Sequence, residues 1–102
     1  MSTDALAALE KMTGKKLTLG LCLWAIRTSE DESQVAFAHK LGVSRQYLCD
    51  LEHGRKSVSH KKAQEFAEKL GYPIEQFIRL ALQDTLHLSG LPFDLQLTKR
   101  KK

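Results

Sequence analysis

The sequence predicts an all-α fold, and three observations carry that prediction. Apolar residues recur at three- and four-residue spacing over most of the chain. Most such stretches open on a side chain that caps a helix, and several close on a glycine that stops one. The only stretch with a strand period, Phe93, Leu95 and Leu97 alternating with Asp94, Gln96 and Thr98, stands alone near the C-terminal end.

Asp4 to Met12 reads as a short first helix. Asp4 or Thr3 caps it, Ala5, Leu6, Ala8, Leu9 and Met12 form its apolar face, and Gly14 ends it. Lys15 and Lys16 make a polar link. Thr18 caps a second helix that runs to about Thr28, with Leu19, Leu23 and Ile26 as its buried set. A polar, acidic connection follows at Ser29 to Glu32.

The next segment is the most informative. Ser33 caps a helix from Gln34 to Leu41, Gly42 supplies a turn, and Ser44 caps a second helix from Arg45 to about Glu52. Apolar residues sit only where two crossed helices would bury them, and polar side chains are left along the second helix. That is the layout of a helix-turn-helix, whose second helix fits the DNA major groove.

Gly54 ends that helix, and Arg55 to Val58 form a loop. Ser59 caps His60 to Leu70, where Ala63, Phe66, Ala67 and Leu70 repeat at helical spacing, and Gly71 stops it. Pro73 suits the first position of a last helix reaching about Leu88. That helix is apolar on two sides: Ile74, Phe77 and Ala81 form one stripe, and Ile78, Leu82 and Leu86 another. One stripe covers its own core, and the second points to a partner, most simply a second copy of the chain. The lone strand-like stretch could pair with its symmetry mate, add to a partner's sheet, or be a tail. Ile78, Leu82, Leu86, Phe93, Leu95 and Leu97 are therefore the expected dimer interface.

A chain of 102 residues fits one domain. Its expected organisation is a helical extension over 1–17, a helix-turn-helix core over 18–72, a last helix and strand-like tail over 73–98, and a basic tail over 99–102. An apolar fraction of 42% and a charged fraction of 27% are ordinary for a globular domain. The charge is unevenly placed. Segment 40–62 holds Lys40, Arg45, Arg55, Lys56, Lys61 and Lys62 against Asp50 and Glu52, a net +4 that equals the excess of the whole chain. Its overlap with the helix-turn-helix favours a polyanionic partner.

Other chemistry finds little support. His39, His53, His60 and His87 lack metal-ligand spacing with Cys22 and Cys49, so no metal and no cofactor are expected. There is no glycine-rich phosphate loop and no serine nucleophile elbow, and an enzyme is not expected. Leu17 to Ile26 is too short to span a bilayer, and the N-terminus lacks a basic signal region. The expectation is a cytoplasmic protein with reduced thiols and no membrane association. Cys22 reads as a buried core thiol, and Cys49 as a thiol on the second motif helix with only Arg45 one turn away.

Residues 18–72 resemble the lambda-repressor-like, or Xre-type, helix-turn-helix family. The resemblance rests on Ser33 and Gln34, Ala38, the run Leu41 to Gln46, Leu51 and Glu52, and Gly54 followed by Arg55 and Lys56, all in register. It implies a five-helix DNA-binding domain, commonly dimeric on an inverted repeat. Many small members repress their own promoters, and a large group are antitoxins that bind a toxin encoded beside them. The double-stranded DNA partner, the homodimer and a toxin partner are expectations of that kind. The N-terminal extension and the strand-like tail lie outside the shared domain.

The residues add their own reading. Arg45 and Gln46 begin the second motif helix, where arginine can bond guanine and glutamine adenine, each twice. Tyr47, Cys49 and Asp50 complete the expected base-contacting set. Asp50 could accept from cytosine, or it could fix the pose of Arg45 or Gln46. Gln34, Ser44, Arg55, Lys56 and Lys61 are the expected phosphate contacts. In many family members an arginine of the first core helix pairs with the glutamate of the Leu-Glu step, and Arg27 and Glu52 occupy those positions. Glu32 stands where the family usually has an apolar residue, so it either opens the linker or caps the helix after Ser33. A rival reading keeps the fold but makes the chain a protein-interaction module, acting through the last helix and the tail.

Overall fold

The computed structural model describes residues 17–100. The expected helix at Asp4 to Met12 lies outside them, as do Lys101 and Lys102. Among the described residues there are five helices and no strand: α1 Leu19–Ser29, α2 Gln34–Leu41, α3 Arg45–Glu52, α4 His60–Leu70 and α5 Ile74–Leu88. The described residues form two compact units that divide between Ser57 and Val58.

Local chemistry sets the helix starts of the first unit. Thr18, Ser33 and Ser44 each hold extended backbone, and each hydroxyl accepts from the N–H three residues on, at Leu21, Ala36 and Tyr47. Such a bond satisfies a backbone donor that the helix cannot, which is worth about 1 kcal/mol per cap. α2 stops at Gly42, whose left-handed φ of 76° lets its N–H reach back to the His39 carbonyl. Asp31 takes a left-handed φ of 54° in the linker after α1, a role the sequence pattern did not mark. The linker is not open at Glu32, and Glu32 is not the cap. Ser33 caps α2, while Glu32 pairs with Lys40 at 2.6 Å and lends its carbonyl to Arg27.

The core of this unit comes from one face of each helix. Leu19, Cys22, Leu23, Ala25 and Ile26 of α1 are buried with Phe37, Ala38 and Leu41 of α2 and with Leu48 and Leu51 of α3. Burial pushes the Cys22 thiol up to about 12, so it stays protonated and inert. α1 comes against the backbone of α3 at Gly20, where a Cβ would fall deep inside the Leu51 carbonyl.

In the second unit Ser59 caps α4 by accepting from Lys62 N–H, and Gly71 ends that helix. α4 and α5 pack through Ala63, Phe66 and Ala67 on one side and Phe77, Leu80 and Ala81 on the other. Pro73 is the N-cap of α5 rather than its first residue. Ile74, assigned to the covered stripe, is 38% exposed, and Leu80 takes the buried place. Ile78, Leu82 and Leu86 are half-buried.

The stretch expected to be strand-like runs from 91 to 100 without a ladder, because a single strand finds no partner strand among the described residues. One side-chain amide takes that role instead. Gln83, buried on α5, donates from Nε2 to the Phe93 carbonyl at 2.8 Å and accepts at Oε1 from Leu95 N–H. Phe93 and Leu97 stay exposed, and Leu95 is half-buried.

Gly20 yields a test. Alanine is favoured over glycine inside a helix by about 1 kcal/mol. Overpacking against rigid backbone costs about 3 kcal/mol, so the clash should win. Gly20→Ala should lower the melting temperature by roughly 10 °C in a thermal scan followed by circular dichroism.

Candidate nucleic-acid interface

α3 buries Leu48 and Leu51. Arg45 and Gln46 are exposed in its first turn, and Tyr47 and Cys49 are half-buried. Asp50, in spite of its charge, is only 9% exposed. The positions behind the exposed pair hold two carboxylates, and each organises a set of donors.

The first is Glu52, whose side chain is 3% exposed. Arg27 meets it with both arms of its fork, Nε to Oε2 at 2.7 Å and Nη2 to Oε1 at 3.0 Å. The remaining arm, Nη1, donates to the Glu32 carbonyl at 3.0 Å. The Glu52 carboxylate raises the Arg27 pKa above its ordinary value, so the guanidinium stays charged. Gln34 also donates from Nε2 to Glu52 Oε1 at 3.0 Å. An ionised carboxylate only accepts, so the Gln34 nitrogen must face it and the Gln34 oxygen must face away. That oxygen accepts from Arg45 Nη1 at 3.1 Å. A chain of bonds thus runs from α1 through the end of α3 and the start of α2 to the exposed start of α3.

The second carboxylate is Asp50. Oδ1 accepts from Arg55 Nε at 2.9 Å and from Gln46 Nε2 at 3.2 Å, and Oδ2 lies 3.4 Å from Lys56 Nζ. The Arg55 bond, with help from Lys56 and Gln46, holds the Asp50 pKa below its ordinary value. Of the two poses open to Asp50 in the sequence, the structure places it against Gln46 and not Arg45. Lys56 also stands over the Tyr47 ring, 5.6 Å from its centroid, and burial raises the Tyr47 pKa.

Cys49 has neighbours that sequence reasoning missed. Arg55 Nη2 lies 3.6 Å from its sulfur, and His53 Nδ1 lies 3.5 Å away. His53 Nδ1 is also 2.8 Å from the Cys49 carbonyl, which only accepts, so the proton sits on Nδ1. Ser44 is occupied as the α3 cap. Lys61 is exposed on α4, in the second unit. Among the described residues no three His, Cys, Asp or Glu side chains gather as a metal site. No described helix is long and apolar enough to cross a membrane.

Removing one partner from a buried ion pair leaves the other charge uncompensated, at a cost of about 3 kcal/mol or more. Arg27→Ala should therefore lower the melting temperature by roughly 15 °C. Arg27→Lys, which keeps the charge but not the fork, should recover only part of that loss. Unchanged melting in the alanine variant would refute the structural role given to the pair.

Comparison with known proteins fits this geometry. No curated protein and no solved structure matches the chain. A family model described as Helix-turn-helix matches residues 25–77, a span that takes in α2, the turn, α3 and α4. The chain belongs to the lambda-repressor/Xre-like helix-turn-helix family, whose domains bind DNA and regulate transcription.

Proposed function

We propose that the protein is a sequence-specific regulator of transcription that reads double-stranded DNA through the first turns of α3 and binds as a dimer to an inverted repeat. One observation carries this reading. Arg45 and Gln46 are exposed where a recognition helix enters the groove, and each is held from behind by a polar network anchored on a poorly exposed carboxylate. Polar side chains ordered before binding lose less entropy when they meet a base. Tyr47 and Cys49 border the same surface. Gln34 and Ser44, at the starts of α2 and α3, and Arg55 and Lys56 after α3, suit phosphate oxygens. Lys61 is assigned to phosphate by its sequence position and exposure.

The dimer rests on the second unit. Ile78, Leu82 and Leu86 remain half-buried, and Phe93 and Leu97 are exposed beside a segment that Gln83 anchors. An apolar surface of that kind suits a second copy, so that two recognition helices read two half-sites. Repression of its own promoter, as the antitoxin of a toxin–antitoxin pair in the cytoplasm, is the family form this arrangement suits. A protein-interaction module that has given up DNA is the competing reading, favoured by the same exposed apolar residues.

Titration against the DNA upstream of the gene, with a scrambled duplex as control, separates the two. The regulator should prefer the native duplex by about a thousandfold at physiological salt, with two chains per duplex. Arg45→Ala with Gln46→Ala should remove about 1–3 kcal/mol of discrimination per base contact, while Lys56→Ala should weaken both duplexes alike. Equal weak binding to both duplexes, unmoved by the double variant, would favour the interaction module.

A further inference from the structure

Asp50 engages one end of the Gln46 amide and leaves the other end for the groove. A carboxylate accepts and never donates, so the Gln46 atom facing Asp50 Oδ1 at 3.2 Å is its nitrogen. The opposite atom, Oε1, is an acceptor. Asp50 keeps its charge because Arg55 and Lys56 sit on it, which holds its pKa low. The two cations also screen the carboxylate from phosphate, so its place on a DNA-facing helix carries little repulsion.

We infer that Asp50 is a specificity-determining positioning residue, which locks Gln46 so that it presents its oxygen and its second N–H to the major groove and selects adenine. The inference rests on the reading of α3 as the recognition helix. Adenine offers N6 and cytosine offers N4 as donors there, whereas guanine and thymine offer only acceptors at those edges. The Gln46 amide nitrogen carries two hydrogens, and the one not taken by Asp50 still donates. Adenine alone sets the acceptor N7 beside its N6 donor, so the held amide bonds adenine twice and cytosine once. The lock thus narrows the choice at one base pair to adenine, because an amide free to turn end for end would also donate to guanine and thymine.

The test is selection from a pool of random duplexes, followed by sequencing. Wild type, Gln46→Ala, Asp50→Ala and Asp50→Asn are run in parallel, each first checked for cooperative melting. The base pair whose preference disappears in Gln46→Ala is the one Gln46 reads. Wild type should enrich adenine there over cytosine by about fivefold, the worth of one hydrogen bond, and disfavour guanine and thymine at least as strongly. Asp50→Ala frees the amide to turn, and the preference for adenine over guanine and thymine should then fall by about fivefold at that position, with the other positions unchanged. Asp50→Asn can donate as well as accept, so its amide partner can turn and the same shift should follow, which covers the case of a poorly folded alanine variant. Wild-type enrichment of guanine or thymine at that position would overturn the proposal, as would a preference unchanged in the folded Asp50 variants. A pool from which wild type enriches nothing would instead overturn the reading of α3 as a base reader, and the inference with it.

Discussion

Glu52 brings a negative charge to a place that water scarcely reaches, and the first unit is arranged around that fact. An uncompensated carboxylate there would cost several kcal/mol in desolvation. The two-armed Arg27 contact offsets that cost, and Arg27 is in turn fixed by the Glu32 carbonyl in the linker after α1. The pair ties the end of α3 to α1 at the level where Gly20 lets the two helices touch. Apolar burial alone would hold α3 against the domain but would leave its rotation loosely determined. Directional bonds to a single carboxylate narrow that freedom.

The same carboxylate reaches the exposed start of α3. Its spare lone pair sets which way the Gln34 amide points, and the Gln34 oxygen then fixes one arm of Arg45. Asp50 does for Gln46 what Glu52 does at one remove for Arg45. Two acidic residues in a basic segment therefore have a shared purpose. Each orders an exposed side chain in the first turn of α3. Arg55 and Lys56 illustrate the balance, since both lean on Asp50 while staying exposed.

The helices from Thr18 onward were legible in the sequence because their boundaries are local. A serine or threonine bonding three residues ahead, or a glycine in left-handed backbone, needs no knowledge of the rest of the chain. Gln46 was legible as an exposed side chain for a similar reason, since helical spacing places it opposite Leu48 and Leu51, and Arg45 was legible because it directly follows the capping Ser44. The Gln46–Asp50 bond joins residues one helical turn apart, a spacing that can be read directly. The Gln34 link was not legible, because residues 34, 45 and 52 meet only through the crossing of α2 and α3. The hold of Gln83 on the tail was hidden too, since a glutamine on an apolar helix reads as solvent-facing until the backbone that bonds it is in place.

The central claim is that Glu52 controls the exposed Arg45 through Gln34. A double-mutant cycle on DNA affinity, pairing Glu52→Gln with Arg45→Ala, tests it most directly. Loss of the carboxylate charge should weaken specific binding when Arg45 is present and have little further effect once Arg45 is gone, a coupling of about 1 kcal/mol or more. Strictly additive effects, with Glu52→Gln equally costly in both backgrounds, would contradict the account and leave Glu52 as a support for the fold alone.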